Sequence, residues 1–170
     1  MDNHTTATTV DATAVELYHW TSLEDALKIM KERVFRPKDR YERGGDSGIN
    51  CFSTDREYYE GQVFAAETAK VWFSWTGPTD SRSWKDNPPF PKNQLIFQER
   101  WRAIVPFNTD NFLYMTRIEA SEAEWHKVFR SDHKRAFWQT FRKAIEYRDS
   151  INAMLHVGLK IGVETLPRDI

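Results

Sequence analysis

The residues best suited to chemistry stand near the start of the chain, where residues 17–22 read Leu-Tyr-His-Trp-Thr-Ser. The alternation of side chains over residues 15–20 predicts a strand, with His19 near its end on the apolar side. Imidazole offers a directed donor or acceptor near neutral pH, and backbone groups at a strand end can bind an amide. The segment can therefore bind a polar ligand. Alternatively, His19 faces the core and bonds a backbone carbonyl, while Thr21 and Ser22 only cap a helix.

A histidine at a strand end, followed at once by small hydroxyl residues, resembles the opening motif of the histidine class of ADP-ribosyltransferases. In that family the histidine hydrogen-bonds a ribose hydroxyl of NAD, and the residues after it hold the nicotinamide amide. The resemblance implies that NAD is the substrate, that His19 is catalytic, and that His19, Trp20 and Thr21 bind NAD. The same stretch also resembles a large family of uncharacterised bacterial proteins linked to phage defence, which implies a toxin, an effector or a phage-conflict protein.

The second element of that family is a strand with small hydroxyl residues, beside a helix whose tyrosine stacks on nicotinamide. Residues 48–54, Gly-Ile-Asn-Cys-Phe-Ser-Thr, resemble this strand and imply that Ser53 binds NAD. Tyr58 or Tyr59 would supply the stacking ring, which suits a partly cationic nicotinamide. Alternatively, the segment is an edge strand followed by a Ser-Thr turn and two surface tyrosines.

The third element is a late glutamate that stabilises the positive charge developing on the ribose as nicotinamide leaves. Glu164, on the polar side of the last predicted strand, is the better candidate by order and position. Glu146, within a long helix, is the alternative, and each can also be an ordinary solvated glutamate. The resemblance thus implies an enzyme that transfers ADP-ribose from NAD to a macromolecular acceptor, either protein or nucleic acid.

A second reading is a non-catalytic module that binds a protein or a nucleic acid through an aromatic pocket or a basic helix. Trp125 and Trp138 accompany the basic residues of the late helical region, which are Arg130, Lys134, Arg135, Arg142, Lys143 and Arg148. A basic helix face of this kind is more often simply exposed to solvent, without a binding role.

Other potential sites are incomplete. Asp132, His126 and His133 do not form a metal-binding pair at helical spacing, so no metal site is expected. Cys51 is the single cysteine and is expected to be a small buried hydrophobe. The sequence contains no glycine-rich phosphate loop and no nucleophile elbow.

The elements that position these residues follow from periodicity, caps and turn residues. Ser22 with Asp25 predicts a capped helix after the first strand, on which Val34 is the last apolar position. The remaining predictions are a strand at 49–53, a helix within 55–72 from Val63 onward, an ambiguous segment at 71–76, a loop at 77–93, strands at 101–107 and 112–115, helices at 121–129 and 132–155 ending before Gly158, and a strand at 159–166.

The composition is that of a folded domain, with 40% hydrophobic residues in a chain of 170. The 24 basic residues nearly balance the 25 acidic ones, so no overall positive field attracts nucleic acid. Nothing in the chain reads as a signal peptide or a membrane helix. The sequence therefore predicts a cytoplasmic protein without a membrane partner. We expect a flexible tail over residues 1–13 and a single α+β domain over residues 14–170, built on a split, mostly antiparallel sheet with a late helical pair.

Overall fold

The computed structural model describes residues 14–36, 48–53, 66–80, 94–98, 102–107, 109, 111–132 and 137–164. These residues form a mixed α+β fold. Its elements are β1 (Val15–Thr21), α1 (Leu23–Glu32), β2 (Val34–Phe35), β3 (Gly48–Ser53), β4 (Ala69–Trp75), β5 (Thr79–Asp80), β6 (Leu95–Gln98), β7 (Arg102–Pro106), β8 (Leu113–Ala120), α2 (Glu122–Asp132), α3 (Phe137–Leu155), β9 (Leu159–Lys160) and β10 (Gly162–Val163).

Eight of these strands form one sheet in the order β5-β6-β7-β3-β1-β4-β8-β9. All its neighbouring strands are antiparallel except β5 and β6. Strands β2 and β10 form a separate parallel pair. The predicted α+β class, the mostly antiparallel sheet, the helix after the first strand and the late helical pair are confirmed.

The core lies on the face of the sheet that carries Leu17. Neighbouring β4 contributes Val71, Phe73 and Trp75 to this face, each at most 1% exposed. Helix α1 packs against β4 and β8, helix α3 packs against β8, and α2 packs against both helices. The resulting hydrophobic cluster reaches from Leu17 to Val163 of β10, so elements from both ends of the described chain share a core.

Local signals at the helix ends are confirmed. The Ser22 hydroxyl accepts a hydrogen bond from the Asp25 amide at 3.1 Å and donates to the Asp25 carboxylate at 2.9 Å. This pairing satisfies a backbone donor at the start of α1. Ser121 caps α2 in the same manner. Gly158, with φ of 85°, ends α3 in the left-handed region that glycine adopts without strain.

Strand β4 corrects the prediction of a helix within residues 55–72. Residues 69–75 form a central strand between β1 and β8, which also resolves the ambiguity at 71–76, while residues 54–65 lie outside the described residues. The opposite face of β4 is also aromatic, because Trp72 packs on Tyr18 with ring centroids 4.9 Å apart. Trp72 interrupts a face that otherwise carries the polar Lys70 and Ser74, so apolar residues run without a break from Val71 to Phe73 and hide the strand alternation.

Three further predictions were wrong in part. The segment at 77–93 is not entirely a loop, because Thr79 and Asp80 pair with β6. The sequence did not indicate β6 as a strand. Residues 81–93 lie outside the described residues. The strand expected at 159–166 is two short strands with different partners, because β9 joins β8 whereas β10 joins β2. Val34 lies in β2 rather than on α1, because α1 ends at Glu32 and the next residue, Arg33, has a φ of 56°.

Asn152 attaches α3 to β8 through both ends of its side-chain amide. Its Oδ1 accepts from the Ile118 backbone amide at 2.9 Å, and its Nδ2 donates to the Ile118 carbonyl at 3.1 Å. Both backbone groups of Ile118 are therefore paired.

None of the described helices combines the length and the apolar composition needed to cross a bilayer.

Candidate functional site

A cleft of about 360 Å³ lies where the end of β1 meets α1 and β2. It is lined by residues 19–22, by one side of α1, by residues 34–36, and by Ala66 and Glu67 just before β4. We call it the His19 cleft. Its volume falls toward the lower end of the range typical of small-molecule sites.

His19 is held in one tautomer at the cleft. Its Nδ1 lies 2.7 Å from the backbone carbonyl oxygen of Asn50 on β3. Because a carbonyl oxygen only accepts, Nδ1 carries the proton. The ring also packs edge-on against Phe35, with centroids 4.9 Å apart. Neighbours on both sides therefore fix the orientation of the imidazole.

The charge state of His19 follows from the same surroundings. Burial lowers the pKa of His19 below its ordinary value, and the hydrogen bond to the Asn50 carbonyl offsets this effect only in part. The ring is therefore neutral at pH 7, with a lone pair on Nε2. Among the described residues, Nε2 has no hydrogen-bond partner. His19 can thus accept a hydrogen bond from a ligand hydroxyl, although its other nitrogen does bond a backbone carbonyl.

The remaining residues of the opening motif reach the cleft in different ways. Thr21 is the last residue of β1 and pairs with Ala69, and Ser22 caps α1 as described above. Trp20 also lines the cleft, and Lys70 Nζ lies 4.8 Å from its ring centroid. Its Nε1 is buried and makes no hydrogen bond within the described part of the chain. The end of β1 thus brings His19, Trp20 and Thr21 to one site.

Glu164 reaches the edge of this site through the pairing of β2 with β10. The Glu164 amide donates to the Phe35 carbonyl at 3.1 Å, and Arg36 Nε donates to the Glu164 carboxylate at 2.9 Å. Arg36 also forms an ion pair with Glu32 of α1. The Arg36 and Glu164 side chains are about half exposed, so this ion pair contributes at most about 1 kcal/mol to stability.

The alternative late glutamate lies elsewhere. Glu146 is exposed on α3, where its carboxylate accepts from Arg142 at 3.1 Å. It is not among the described residues that line the His19 cleft. Glu164 is not among those lining residues either, but it binds Arg36, which lines the cleft, whereas the Glu146 carboxylate binds Arg142 of its own helix.

The predicted second element is only partly described. Ser53 lies opposite Leu17 in the β1–β3 pairing and is buried, and it is not among the described residues lining the cleft. Tyr58 and Tyr59 lie outside the described residues. Cys51 is buried, as expected.

The basic face of the late helices is partly neutralised. Arg142 and Arg148 of α3 each pair with a nearby carboxylate. A hydrogen bond from Arg148 to Asp149 raises the pKa of this arginine above its ordinary value. Trp125 is 1% exposed, so its ring is covered by protein.

Other parts of these late-helix predictions lie beyond the described structure. Lys134 and Arg135 are outside the described residues, as is the Trp138 side chain. His133 is outside them too, whereas the His126 ring packs on Phe141. Within the described part of the chain, no group of three or more potential ligands could hold a metal ion.

Several cleft residues were not predicted from the sequence. Lys28 and Glu32 belong to a polar stripe of α1, next to the apolar stripe that identified the helix. Phe35 and Arg36 follow the predicted first helix, in a segment that the sequence treats as a connection, and Glu67 lies within a segment that the sequence predicts as helix. A polar stripe beside a predicted binding strand is the signal that could have identified the α1 residues.

Comparison of the chain with protein-family models, with curated proteins and with solved structures gives no match. The function is therefore inferred from the cleft and its residues. The relevant features are a neutral histidine with an available acceptor nitrogen, a hydroxyl-bearing strand end, and the Glu164 carboxylate, which is held by Arg36 at the margin of the cleft.

Proposed function

We propose that the protein is an NAD-dependent transferase of the ADP-ribosyltransferase type, which passes ADP-ribose to a macromolecular acceptor. The observation that carries the proposal is that His19 and Arg36 line one cleft and that the Glu164 carboxylate, just after β10, accepts a hydrogen bond from Arg36. The parallel pairing of β2 with β10 supports the proposal, because it brings Glu164 beside Arg36 at the margin of this cleft. The proposal thus includes both the activity and the type of fold.

In this mechanism His19 binds the nicotinamide ribose of NAD. Its neutral ring accepts a hydrogen bond from a ribose hydroxyl through Nε2, while Nδ1 remains bonded to Asn50. Backbone groups at Trp20 and Thr21 would bind the carboxamide of nicotinamide. A cleft of about 360 Å³ suits the nicotinamide riboside portion, with the rest of NAD extending outside.

Glu164 supplies negative charge in the transition state. The bond between the nicotinamide nitrogen and the ribose carbon breaks, and its electron pair leaves with neutral nicotinamide. Positive charge then develops on the ribose, where a nearby carboxylate stabilises it. A nucleophile of the acceptor bonds to the ribose carbon and loses its proton. Tyr58 or Tyr59 would stack on the leaving ring.

The first test is selective binding. NAD at millimolar concentration should raise the melting temperature, because a ligand that binds only the folded state stabilises it by mass action. ATP, which shares the adenosine diphosphate portion but lacks the nicotinamide riboside, should have little effect. A melting temperature that does not change with NAD would favour the non-catalytic binding module.

The second test is turnover, measured as nicotinamide released from NAD. Glu164→Gln should lower the rate by about a hundredfold or more, with little change in NAD binding, because the charge is needed mainly in the transition state. Glu146→Gln is a matched control, since it also alters an exposed glutamate paired with an arginine. Equal rates for Glu164→Gln and wild type would remove Glu164 from the mechanism.

A further inference from the structure

Helix α1 presents a regular stripe of side chains to the His19 cleft. Asp25, Lys28, Ile29 and Glu32 line it at positions i, i+3, i+4 and i+7. This spacing places them along one side of the helix. Lys28 therefore lies between two carboxylates of the same stripe, about one helical turn from each.

The two described cations that line the cleft, Arg36 and Lys28, differ in their ion pairing. Arg36 binds the carboxylates of Glu32 and Glu164. Lys28, which is exposed, has no ion pair or hydrogen bond within the described part of the chain. Of the two described cations that line the cleft, Lys28 is thus the one available to a ligand anion.

Lys28 is the described cleft residue best suited to an anion. Asp25, Glu32 and Glu67 also line the cleft, and His19 adds no positive charge because it is neutral. The Glu32 carboxylate, one helical turn from Lys28, is paired with Arg36, which reduces its repulsion of a pyrophosphate placed beside Lys28. Such a pyrophosphate meets an ammonium group that has no ion pair among the described residues, which is a suitable partner for phosphate oxygens.

We propose that Lys28 binds the pyrophosphate of NAD and so determines which end of the dinucleotide enters the cleft. The inference rests on the proposed function, because it takes NAD as the ligand. The nicotinamide riboside portion then lies against His19, and the chain of the ligand leaves the cleft along α1. The adenosine end stays outside, where the exposed position of Lys28 allows it to extend.

The test compares Lys28→Gln with Lys31→Gln. Both substitutions remove one charge from an exposed lysine of α1, but Lys31 does not line the cleft. Three probes are titrated by calorimetry: NAD, nicotinamide riboside, which lacks phosphate, and inorganic pyrophosphate. Lys28→Gln should raise the Kd for NAD about tenfold, as expected for loss of one charge-assisted contact, and Lys28→Arg should restore most of the affinity.

The probes separate a phosphate contact from a general loss of structure. Nicotinamide riboside should bind wild type and Lys28→Gln with affinities within about twofold, whereas pyrophosphate binding should weaken only in Lys28→Gln. The difference in NAD affinity between these two proteins should shrink in 1 M salt, because a contact at an exposed lysine is screened. Lys31→Gln should match wild type throughout.

The possible results distinguish this inference from the proposed function. If NAD binds equally to wild type, Lys28→Gln and Lys31→Gln, the role of Lys28 is refuted and the transferase proposal stands. If NAD does not bind but pyrophosphate binding depends on Lys28, the anion site stands and the transferase proposal is wrong. If neither NAD nor pyrophosphate binds, the role of Lys28 and the transferase proposal are both refuted.

Discussion

Replacing His19 with asparagine tests whether the histidine is a neutral, partly buried ring, as its surroundings in the cleft indicate. Asparagine Nδ2 can occupy roughly the place of the imidazole Nδ1 and donate to the Asn50 carbonyl, but it has no group that titrates near neutral pH. The substitution therefore keeps the hydrogen bond of 2.7 Å and removes the ionisation. We expect the variant to fold and to lose part of the pH dependence of stability.

The direction and the size of this change in the pH dependence of stability follow from the lowered pKa of His19. As pH falls below about 6.5, the unfolded chain takes up a proton at this histidine, whereas the folded protein does not until the pH reaches its lower pKa. The stability contributed by the neutral ring is thus complete above about pH 6.5 and is lost below it. Between pH 7.5 and 5.5 wild type should lose at most about 1.4 kcal/mol more than His19→Asn.

Urea unfolding at pH 7.5, 6.5 and 5.5 measures this difference, because other titrating groups contribute alike to both proteins. His19→Ala provides a further comparison. It leaves the Asn50 carbonyl without its donor, at a cost of about 1–3 kcal/mol, and removes the contact with Phe35, worth about 0.5–1.5 kcal/mol. Parallel pH profiles for wild type and His19→Asn would refute the neutral state of the ring. Equal stability of His19→Asn and His19→Ala would refute a stabilising role for the hydrogen bond to the Asn50 carbonyl.

Two other predictions concern stability measured by urea unfolding. Asn152→Asp should lower the free energy of unfolding by about 1–3 kcal/mol at pH 7, because it replaces the donor to the Ile118 carbonyl with a second acceptor. Unchanged stability would mean that this hydrogen bond does not form in solution. Gly48→Ala should cost about 1–3 kcal/mol or more, because its Cβ would lie 2.2 Å from the Val105 carbonyl oxygen, a backbone atom that cannot move away alone. A stable variant would contradict the close approach of β3 and β7.

The parts of the fold predicted from the sequence are those with strong local signals. The Ser22 cap fixes the start of α1, and Gly158 marks the end of α3. Strand β4 was missed because Trp72 stands on the face that otherwise carries Lys70 and Ser74, which interrupts the alternation of polar and apolar residues. Strand β6 has only four residues, and its partners are β7, the next strand along the chain, and the two residues of β5. Periodicity over so short a run does not reveal a strand.

The candidate site was predicted where it consists of one continuous segment. His19, Trp20 and Thr21 are consecutive, and the structure places all three at the cleft. The contact of Arg36 with Glu164 could not be predicted, because it requires β10 to return beside β2 in parallel. The role of Lys28 depends on which neighbouring charges are already paired, and this is a property of the folded structure.

The bond between Asn152 and β8 also affects how the protein meets other copies of itself. Among the described residues, strand β8 pairs with β9 at Tyr114 and Met115 and with no other strand on that side, so a strand from another molecule could in principle add farther along β8, as at the open edge of any sheet. At Ile118 the side-chain amide of Asn152 already binds both backbone groups that such a strand would need. A single asparagine on α3 thereby blocks edge-to-edge aggregation at this position without an additional strand.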